Sequence, residues 1–177
     1  ISYKAMLFIP GRQLFDYMTS DYEPGLQLYS SGVMIMEKCA DLLQESFYFV
    51  RGVVDSPDLS LNISREMLQH DRQLRIIAQS LNKKIKSELL KMLETDRPKY
   101  EAFYENYGRQ LRYGAVAGYG RDIDSLRELF LYKVEADKYS TLKEYTARMP
   151  AEQKYIYYAL GESPAKTLRL PQAELVR

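Results

Sequence analysis

The residues with the clearest potential for chemistry lie in the stretch 59–69, where a loop runs into a helical pattern. Ser64 is predicted to cap that helix, because its hydroxyl can accept a hydrogen bond from an amide of the first turn. Arg65 follows inside the turn, although a cation there opposes the helix dipole. Free amides and a guanidinium together form a receptor for a phosphate oxygen, and Gln69 lies one turn later on nearly the same face. These residues predict a phosphate-binding site.

A structural interpretation of Arg65 stays open beside the catalytic one. The preceding residues, Asp-Ser-Pro-Asp at 55–58, have the composition of a turn. In this interpretation the guanidinium pairs with Asp55 or Asp58 and holds the loop in place. Residue types alone favour it over ligand binding.

The glycine-rich segment 114–120 is a second candidate, since such segments can cradle phosphates. Its sequence, Gly-Ala-Val-Ala-Gly-Tyr-Gly, matches neither G-x-G-x-x-G nor the P-loop with its lysine. No clear strand precedes it. The favoured interpretation is a flexible connector between subdomains.

Basic residues of a long predicted helix form a third candidate. They are Arg72, Arg75, Lys83, Lys84, Lys86 and Lys91. Because they flank an apolar stripe, a solvated helix face is the favoured interpretation. Nucleic-acid binding needs aromatic platforms nearby, so the tyrosines between Tyr100 and Tyr119 keep it only as a distant alternative.

Residue types exclude several other kinds of site. The single Cys39 excludes a disulfide framework and a cysteine-based zinc site, and the single His70 excludes a histidine-rich metal centre. No paired carboxylates stand out, and no calcium-binding loop pattern is present, so we expect no metal. The apolar segment 15–18 is either a partner-binding surface or an edge of the core.

Composition limits the class of protein. A chain of 177 residues forms one large domain or two small ones, and 46% hydrophobic with 28% charged residues is ordinary for a soluble globular protein. No apolar run approaches the roughly 20 residues that span a bilayer. The net charge of +1 argues against a dedicated nucleic-acid binder. Because residue 1 is Ile and already reads as strand, we expect a piece of a longer protein.

Charge is distributed unevenly along the chain. Residues 1–60 carry 4 basic and 8 acidic side chains, net −4; residues 61–121 carry 12 and 7, net +5; the remainder carries 9 of each. Of the 16 tyrosines, 11 lie at or after Tyr100. These shifts predict two subdomains joined near residues 94–121.

Hydrophobic patterns then predict the elements that position these residues. Strands are predicted over 1–9 with a buried end, within 26–36, and over 47–54 with a break at Arg51-Gly52, and a short helix over 37–43. A helix is predicted from about Ser64 to Glu94, with a bend near Asp71. Its buried stripe contains Met67, Leu74, Ile77, Ala78, Leu81, Ile85, Leu89 and Met92.

The remainder is predicted to mix short helices with one strand. Helices are predicted over 99–107, 125–132 and 141–148, the last with Thr141 and Glu144 as a capping box. A strand is predicted over 154–159, and a further helix from Ser163 onward.

The run 49–69, Phe-Val-Arg-Gly-Val-Val-Asp-Ser-Pro-Asp-Leu-Ser-Leu-Asn-Ile-Ser-Arg-Glu-Met-Leu-Gln, resembles the signature of the middle domain of the ninety-kilodalton heat-shock chaperones. Segments 8–10, 28–29, 101–104, 145–149 and 155–158 resemble the same domain in the same order. Residues 28–36 most resemble the bacterial HtpG-type members. A match of this length is far more specific than any short motif.

The resemblance implies an α/β (α+β) fold in three parts. A larger α-β-α layer subdomain over residues 1–94 carries the catalytic loop, and a short helical coil over 95–121 connects it to a smaller α-β-α subdomain over 122–177. This agrees with the division indicated by charge and glycine.

The resemblance also implies roles for individual residues. Arg65 matches the family's arginine that reaches the γ-phosphate of ATP, held with Mg²⁺ in a separate N-terminal domain. Gln69 and Asn62 match residues of the same catalytic loop, and Leu59 and Ile63 are expected to seat that loop against the ATP domain.

Partners follow from the same resemblance. They are the N-terminal ATPase domain and unfolded or partly folded client proteins, in a cytoplasmic, full-length homodimer. The fragment itself is expected to be monomeric, to neither bind ATP tightly nor hydrolyse it, and to bind neither nucleic acid nor membrane. The rival hypothesis is a non-catalytic interaction module in which Arg65 is structural.

Overall fold

The computed structural model describes residues 1–13, 19, 22–60, 71–120, 122–135, 138–161 and 163–174. Helices and two small sheets alternate along these ranges, which confirms the predicted α+β class. The chain divides into two compact units, Ile1–Leu126 and Arg127–Arg177. The division into parts 1–94, 95–121 and 122–177 stays a prediction.

The sheet of the first unit has four described strands. They are β1 (Lys4–Phe8), β2 (Leu26–Ser30), β3 (Val33–Cys39) and β4 (Arg51–Asp55), in the order β1-β4-β2-β3. β4 is antiparallel to β1 and parallel to β2, and β2 and β3 form an antiparallel hairpin. The hairpin therefore lies beside the strand that leads into residues 55–60.

The strand predicted within 26–36 is in fact this hairpin. Ser31 and Gly32 make its turn with φ of +49° and +81°, a backbone region that glycine adopts easily. The helix predicted over 37–43 is reduced to a 3-10 turn, Ala40–Leu42, because residues 37–39 complete β3. The strand predicted over 47–54 begins only at Arg51, after a second 3-10 turn, Glu45–Phe47.

β1 is an edge strand, and its predicted buried end is wrong. Met6 is 66% exposed and Phe8 55%. Met6 pairs with Val53 in register. The break predicted at Arg51-Gly52 is wrong, because β4 continues through Gly52, where the backbone of β1 comes very close. A β-carbon at Gly52 would overlap the carbonyl oxygen of Met6, and the φ of +144° also requires glycine.

Two long helices complete the first unit. Helix α1 (Arg72–Thr95) begins at the residue where a bend was predicted, and the N-cap predicted at Ser64 lies outside the described residues. The described part of the predicted stripe is confirmed as its buried face, with Leu74, Ile77, Leu81, Ile85 and Leu89 buried. Asp96 caps helix α2 (Arg97–Val116), and the two helices pack against each other.

Helix α2 is longer than the helix predicted over 99–107. It continues through Gly108 and Gly114, so the predicted flexible connector over 114–120 is wrong for its first residues. Only Ala117–Gly120 leaves the helix, as a 3-10 turn. The two glycines serve close packing: a β-carbon at Gly108 would lie 2.8 Å from the ring of Tyr104.

Aromatic side chains of α2 form the centre of the first unit. Phe49 packs 5.2 Å from Phe103 and 5.0 Å from Tyr107, measured between ring centroids. Tyr100 is fully buried, and burial raises the pKa of its phenol. Tyr100 and Tyr107 are therefore core residues and are not available as platforms for nucleic-acid bases, whereas Tyr113 and Tyr119 are exposed.

The second unit is smaller. Its sheet pairs β5 (Tyr132–Glu135) with β6 (Lys138–Ser140), so the helix predicted over 125–132 is wrong there. That stretch contains the end of helix α3 (Ile123–Leu126), which closes the first unit, and a 3-10 turn over Arg127–Leu129.

Short helices follow in the second unit. Helix α4 (Leu142–Ala147) has the predicted capping box of Thr141 and Glu144. Helices α5 (Pro164–Thr167), capped by Ser163, and α6 (Pro171–Glu174) confirm the helical prediction from Ser163 onward. The strand predicted over 154–159 is wrong, since in the described part of this unit those residues join no sheet.

Candidate functional site

The predicted site residues Asn62, Arg65 and Gln69 lie in segment 61–70, outside the described residues. We call this segment the arginine segment. The structure describes both of its attachments to the first unit: residues 55–60 before it, here the leading stem, and the start of α1 after it.

The tip of the β2–β3 hairpin holds the leading stem through two hydrogen bonds to the main chain. The amide of Ser56 donates to the carbonyl oxygen of Tyr29 at 3.1 Å. The hydroxyl of Ser30 donates to the carbonyl oxygen of Leu59 at 2.6 Å. Ser30 is 2% exposed and Leu59 3%, so water does not compete for this second bond.

Both acids of the leading stem accept hydrogen bonds from distant backbone amides. The amide of Gly32 lies 3.2 and 3.3 Å from the two carboxylate oxygens of Asp55. The amide of Ser2 donates to Asp58 at 2.7 Å. These are the acids that the structural interpretation assigns to Arg65. Each carboxylate accepts from one amide and, because a carboxylate can accept several hydrogen bonds, the structural interpretation of Arg65 stays open.

Ser56 is buried and connects the stem to the N-terminal residues of the chain. Its hydroxyl donates to the carbonyl oxygen of Ser2 at 2.8 Å and lies 3.3 Å from the amide of Asp58. Leu59 is buried in its own unit, so the expectation that it seats against an ATP domain is wrong. Ile63, which carried the same expectation, lies outside the described residues.

The far attachment is the N-terminus of α1. The carboxylate of Asp71 accepts from the amide of Leu74 at 2.8 Å, which satisfies one of the free amides of the first turn. Leu74 is buried and fixes that turn to the core. Both ends of the arginine segment are thus attached to the same compact unit.

A separate cavity of about 440 Å³ lies between α1 and the 3-10 turns. Arg75, Lys83 and Lys86 are among its lining residues, and no carboxylate is. The side chain of Asn82 accepts from the amide of Gln44 at 3.0 Å and donates to the carbonyl oxygens of Leu42 and Ala78. These bonds connect α1 to the chain around the 3-10 turns.

The basic face of α1 fits its interpretation as a solvated surface. Arg72, Lys83 and Lys84 are exposed. Lys84 donates to the carboxylate of Glu88 at 2.7 Å, and this bond lowers the pKa of that carboxyl. Of the tyrosines considered as platforms for nucleic-acid bases, Tyr100, Tyr104 and Tyr107 are buried, and Tyr113 and Tyr119 are exposed.

The described ranges contain neither a cluster of metal ligands nor a helix that could span a membrane. No three residues among His, Cys, Asp and Glu lie together in a way that suits a metal ion. No described helix combines the length and the apolar character that crossing a bilayer requires.

The sequence alone did not reveal Ser30 and Ser56 as part of the site. Ser56 lies in a recognisable turn, and Ser30 precedes a Ser-Gly pair typical of hairpins. The sequence does not show which residues these serines contact in the folded chain. Ser30 and its partner Leu59, for example, are 29 residues apart.

Comparisons with known proteins cover the chain from end to end. The family described as Hsp90 protein matches residues 1–177. Chaperone protein HtpG of Alkaliphilus oremlandii is 57% identical over 177 residues, and that of Bacillus subtilis is 55% identical over 177 residues. Each alignment covers 99% of this chain, which spans 28% of the length of these relatives.

One solved structure is similar in fold. The middle domain of a Plasmodium falciparum heat shock protein superposes with a TM-score of 0.82 at 24% sequence identity. The match covers 98% of this chain and 68% of that chain. At this identity the likeness concerns the fold.

Proposed function

This chain belongs to the Hsp90 family, and from that premise we propose that it is the middle-domain part of an ATP-dependent molecular chaperone. The observation that carries the proposal is the 57% identity, over 99% of the chain, to a protein named as the chaperone HtpG. Because the chain spans 28% of that relative, the activity belongs to the whole protein and is proposed as such.

In this proposal Arg65 is the catalytic residue that the chain contributes. Its guanidinium reaches the γ-phosphate of ATP, which a separate N-terminal domain holds together with Mg²⁺. Asn62 and Gln69 keep the arginine segment in its active arrangement. An arginine delivered in this way contributes roughly 10³–10⁵ in rate in GTPases, and we expect the lower end of that range here.

The attachments of the arginine segment support this role. Both ends of the segment are held by the first unit, through Leu59 before it and Asp71 after it. A segment held at two points presents its side chains to an incoming domain at lower entropic cost than a free tail does. Docking of the ATP domain then couples hydrolysis to domain motion.

Client proteins are the proposed second partner. The second unit exposes Tyr155, Tyr158 and Leu160 in a stretch that joins no described sheet. Exposed aromatic and aliphatic side chains of this kind bind the apolar segments that partly folded proteins expose. The cytoplasmic location and the homodimer of the whole protein belong to the same proposal.

The test is the variant Arg65→Ala in the intact protein. We expect kcat for ATP hydrolysis to fall by about 10³, while the Kd for ATP stays within about twofold, because the nucleotide is bound by another domain. Arg72→Ala, which removes an exposed cation of α1, is the control and should leave both quantities unchanged. Turnover unchanged in Arg65→Ala contradicts the catalytic role.

A non-catalytic interaction module is the second candidate function. The exposed residues Tyr155, Tyr158 and Leu160 favour it as well, since they need no nucleotide to bind a partner. In this case Arg65 is structural, and Arg65→Ala lowers the melting temperature of the chain without a separate effect on turnover. Measuring both quantities in the same variant separates the two candidates.

A further inference from the structure

We propose that Ser30 is a positioning residue for Arg65. Through its hydrogen bond to Leu59 it sets the point at which the arginine segment leaves the sheet. The inference rests on the proposed function, in which Arg65 acts on ATP. It assigns to the β2–β3 hairpin a part in the reaction that its sequence does not suggest.

The bond between Ser30 and Leu59 is well suited to fix a position. At 2.6 Å it is short for a hydroxyl donor, and both residues are buried. Without the hydroxyl, the carbonyl oxygen of Leu59 loses this donor at a place where water has little access. The main chain of the stem must then shift to satisfy that oxygen.

The shift acts on the end of the stem that is closer to Arg65. Leu59 precedes Arg65 by six residues, and Ser56 precedes it by nine. Ser56 keeps its own bonds to Tyr29 and Ser2 when the Ser30 hydroxyl is removed. The base of the stem therefore stays in place, and the displacement is passed toward the arginine segment.

The chain offers a matched control in Ser46. This serine lies in the same unit and is equally buried, but within the described residues its hydroxyl has no hydrogen-bond partner. Ser46→Ala thus makes the same chemical change without removing a bond. Any general effect of deleting a buried serine oxygen appears in both variants.

The experiment is steady-state ATP hydrolysis by the intact protein. We expect Ser30→Ala to lower kcat about tenfold, because a small displacement of a catalytic group is costly, with the KM for ATP unchanged. Ser30→Cys, which keeps a weak donor and perturbs folding less, should fall between Ser30→Ala and the unmodified protein. Ser46→Ala should retain both constants.

A double-mutant cycle distinguishes positioning from stability. If Ser30 acts through Arg65, adding Ser30→Ala to Arg65→Ala lowers kcat no further. The amide of Leu59 donates to the carbonyl oxygen of Ser56 at 3.4 Å. In the isolated chain its hydrogen exchange should accelerate in Ser30→Ala, because Leu59 loses its anchor to the hairpin, and not in Ser46→Ala. This second readout does not depend on turnover.

The outcomes separate this inference from the proposed function. If Arg65→Ala is slow while Ser30→Ala and Ser30→Cys match Ser46→Ala, the positioning role is overturned and the proposed function stands. If the Ser30 and Arg65 effects on kcat multiply, Ser30 acts independently and the inference is also overturned. If Arg65→Ala is fully active, both are overturned.

Discussion

Gly114 of α2 packs directly on the main chain of Ser46, so closely that a β-carbon at position 114 would overlap the Ser46 amide nitrogen. This contact joins the long helix to the 3-10 turn that precedes Phe49 and the aromatic core. A residue that helix propensity disfavours is therefore required by packing at this point.

Gly114→Ala is expected to destabilise the first unit. Intrinsic propensity alone would stabilise the helix by about 1 kcal/mol, but overpacking against main-chain atoms costs about 1–3 kcal/mol or more. We expect the clash to dominate, with the free energy of unfolding in urea lowered by about 2 kcal/mol. Gly11→Ala is the control, because nothing lies within 4 Å of its β-carbon. An Ala at 114 as stable as Gly would contradict this packing.

Ile76 and Ile77 form a matched pair on α1, because only Ile77 lies on the buried stripe. Ile77 is 0% exposed and Ile76 is 42% exposed. We expect Ile77→Ala to lower the free energy of unfolding by about 3 kcal/mol, through lost burial and the cavity left behind. Ile76→Ala should cost less than about 1 kcal/mol. Equal losses in chemical denaturation would show that the helix face has been assigned incorrectly.

The buried tyrosines predict a loss of stability at alkaline pH. Burial raises the pKa of Tyr100 well above its usual value of 10.0. Above pH 10 the unfolded chain releases this proton while the folded chain keeps it, so the unfolded state binds fewer protons. The free energy of unfolding then falls by about 1.4 kcal/mol per pH unit for this group. Below pH 9 the group has no such effect.

Tyr100→Phe isolates that contribution. The phenol of Tyr100 is absent in this variant, so the slope of stability against pH above 10 should become shallower by about that amount. Tyr113→Phe on the same helix is the control, since Tyr113 is exposed. Tyr48 and Tyr107, whose pKa values burial also raises, contribute equally to both proteins. An identical slope in Tyr100→Phe would indicate that the folded chain ionises at the usual pH.

Elements held together by local interactions could be predicted from the sequence. The buried stripe of α1 follows from residue spacing, because helix geometry repeats every 3.6 residues. The box of Thr141 and Glu144 follows from two residues three positions apart. In both cases the partners are close in the chain, so their types and spacing already contain the information.

Elements that depend on distant partners were predicted less well. The aromatic and β-branched composition of 154–159 favours a strand, but a strand also needs a partner in register. The same limit explains α2, where Gly114 is accommodated by close contact with the backbone of Ser46 and Gly108 lies against the ring of Tyr104 in the same helix. Local preference is a weak guide when packing at long range opposes it.

The sequence by itself determined the family, because the residue types of the run 49–69 and their order are sufficient for recognition, and the match over residues 1–177 confirms it. Only the tertiary structure decided what holds that run in place. β1, β2 and β4 lie in one sheet. That arrangement allows three hydrogen bonds to form, from Ser30 to Leu59, from Gly32 to Asp55 and from Ser2 to Asp58. Hydrogen bonds between strands distant in sequence depend on that assembly, and no local pattern specifies it.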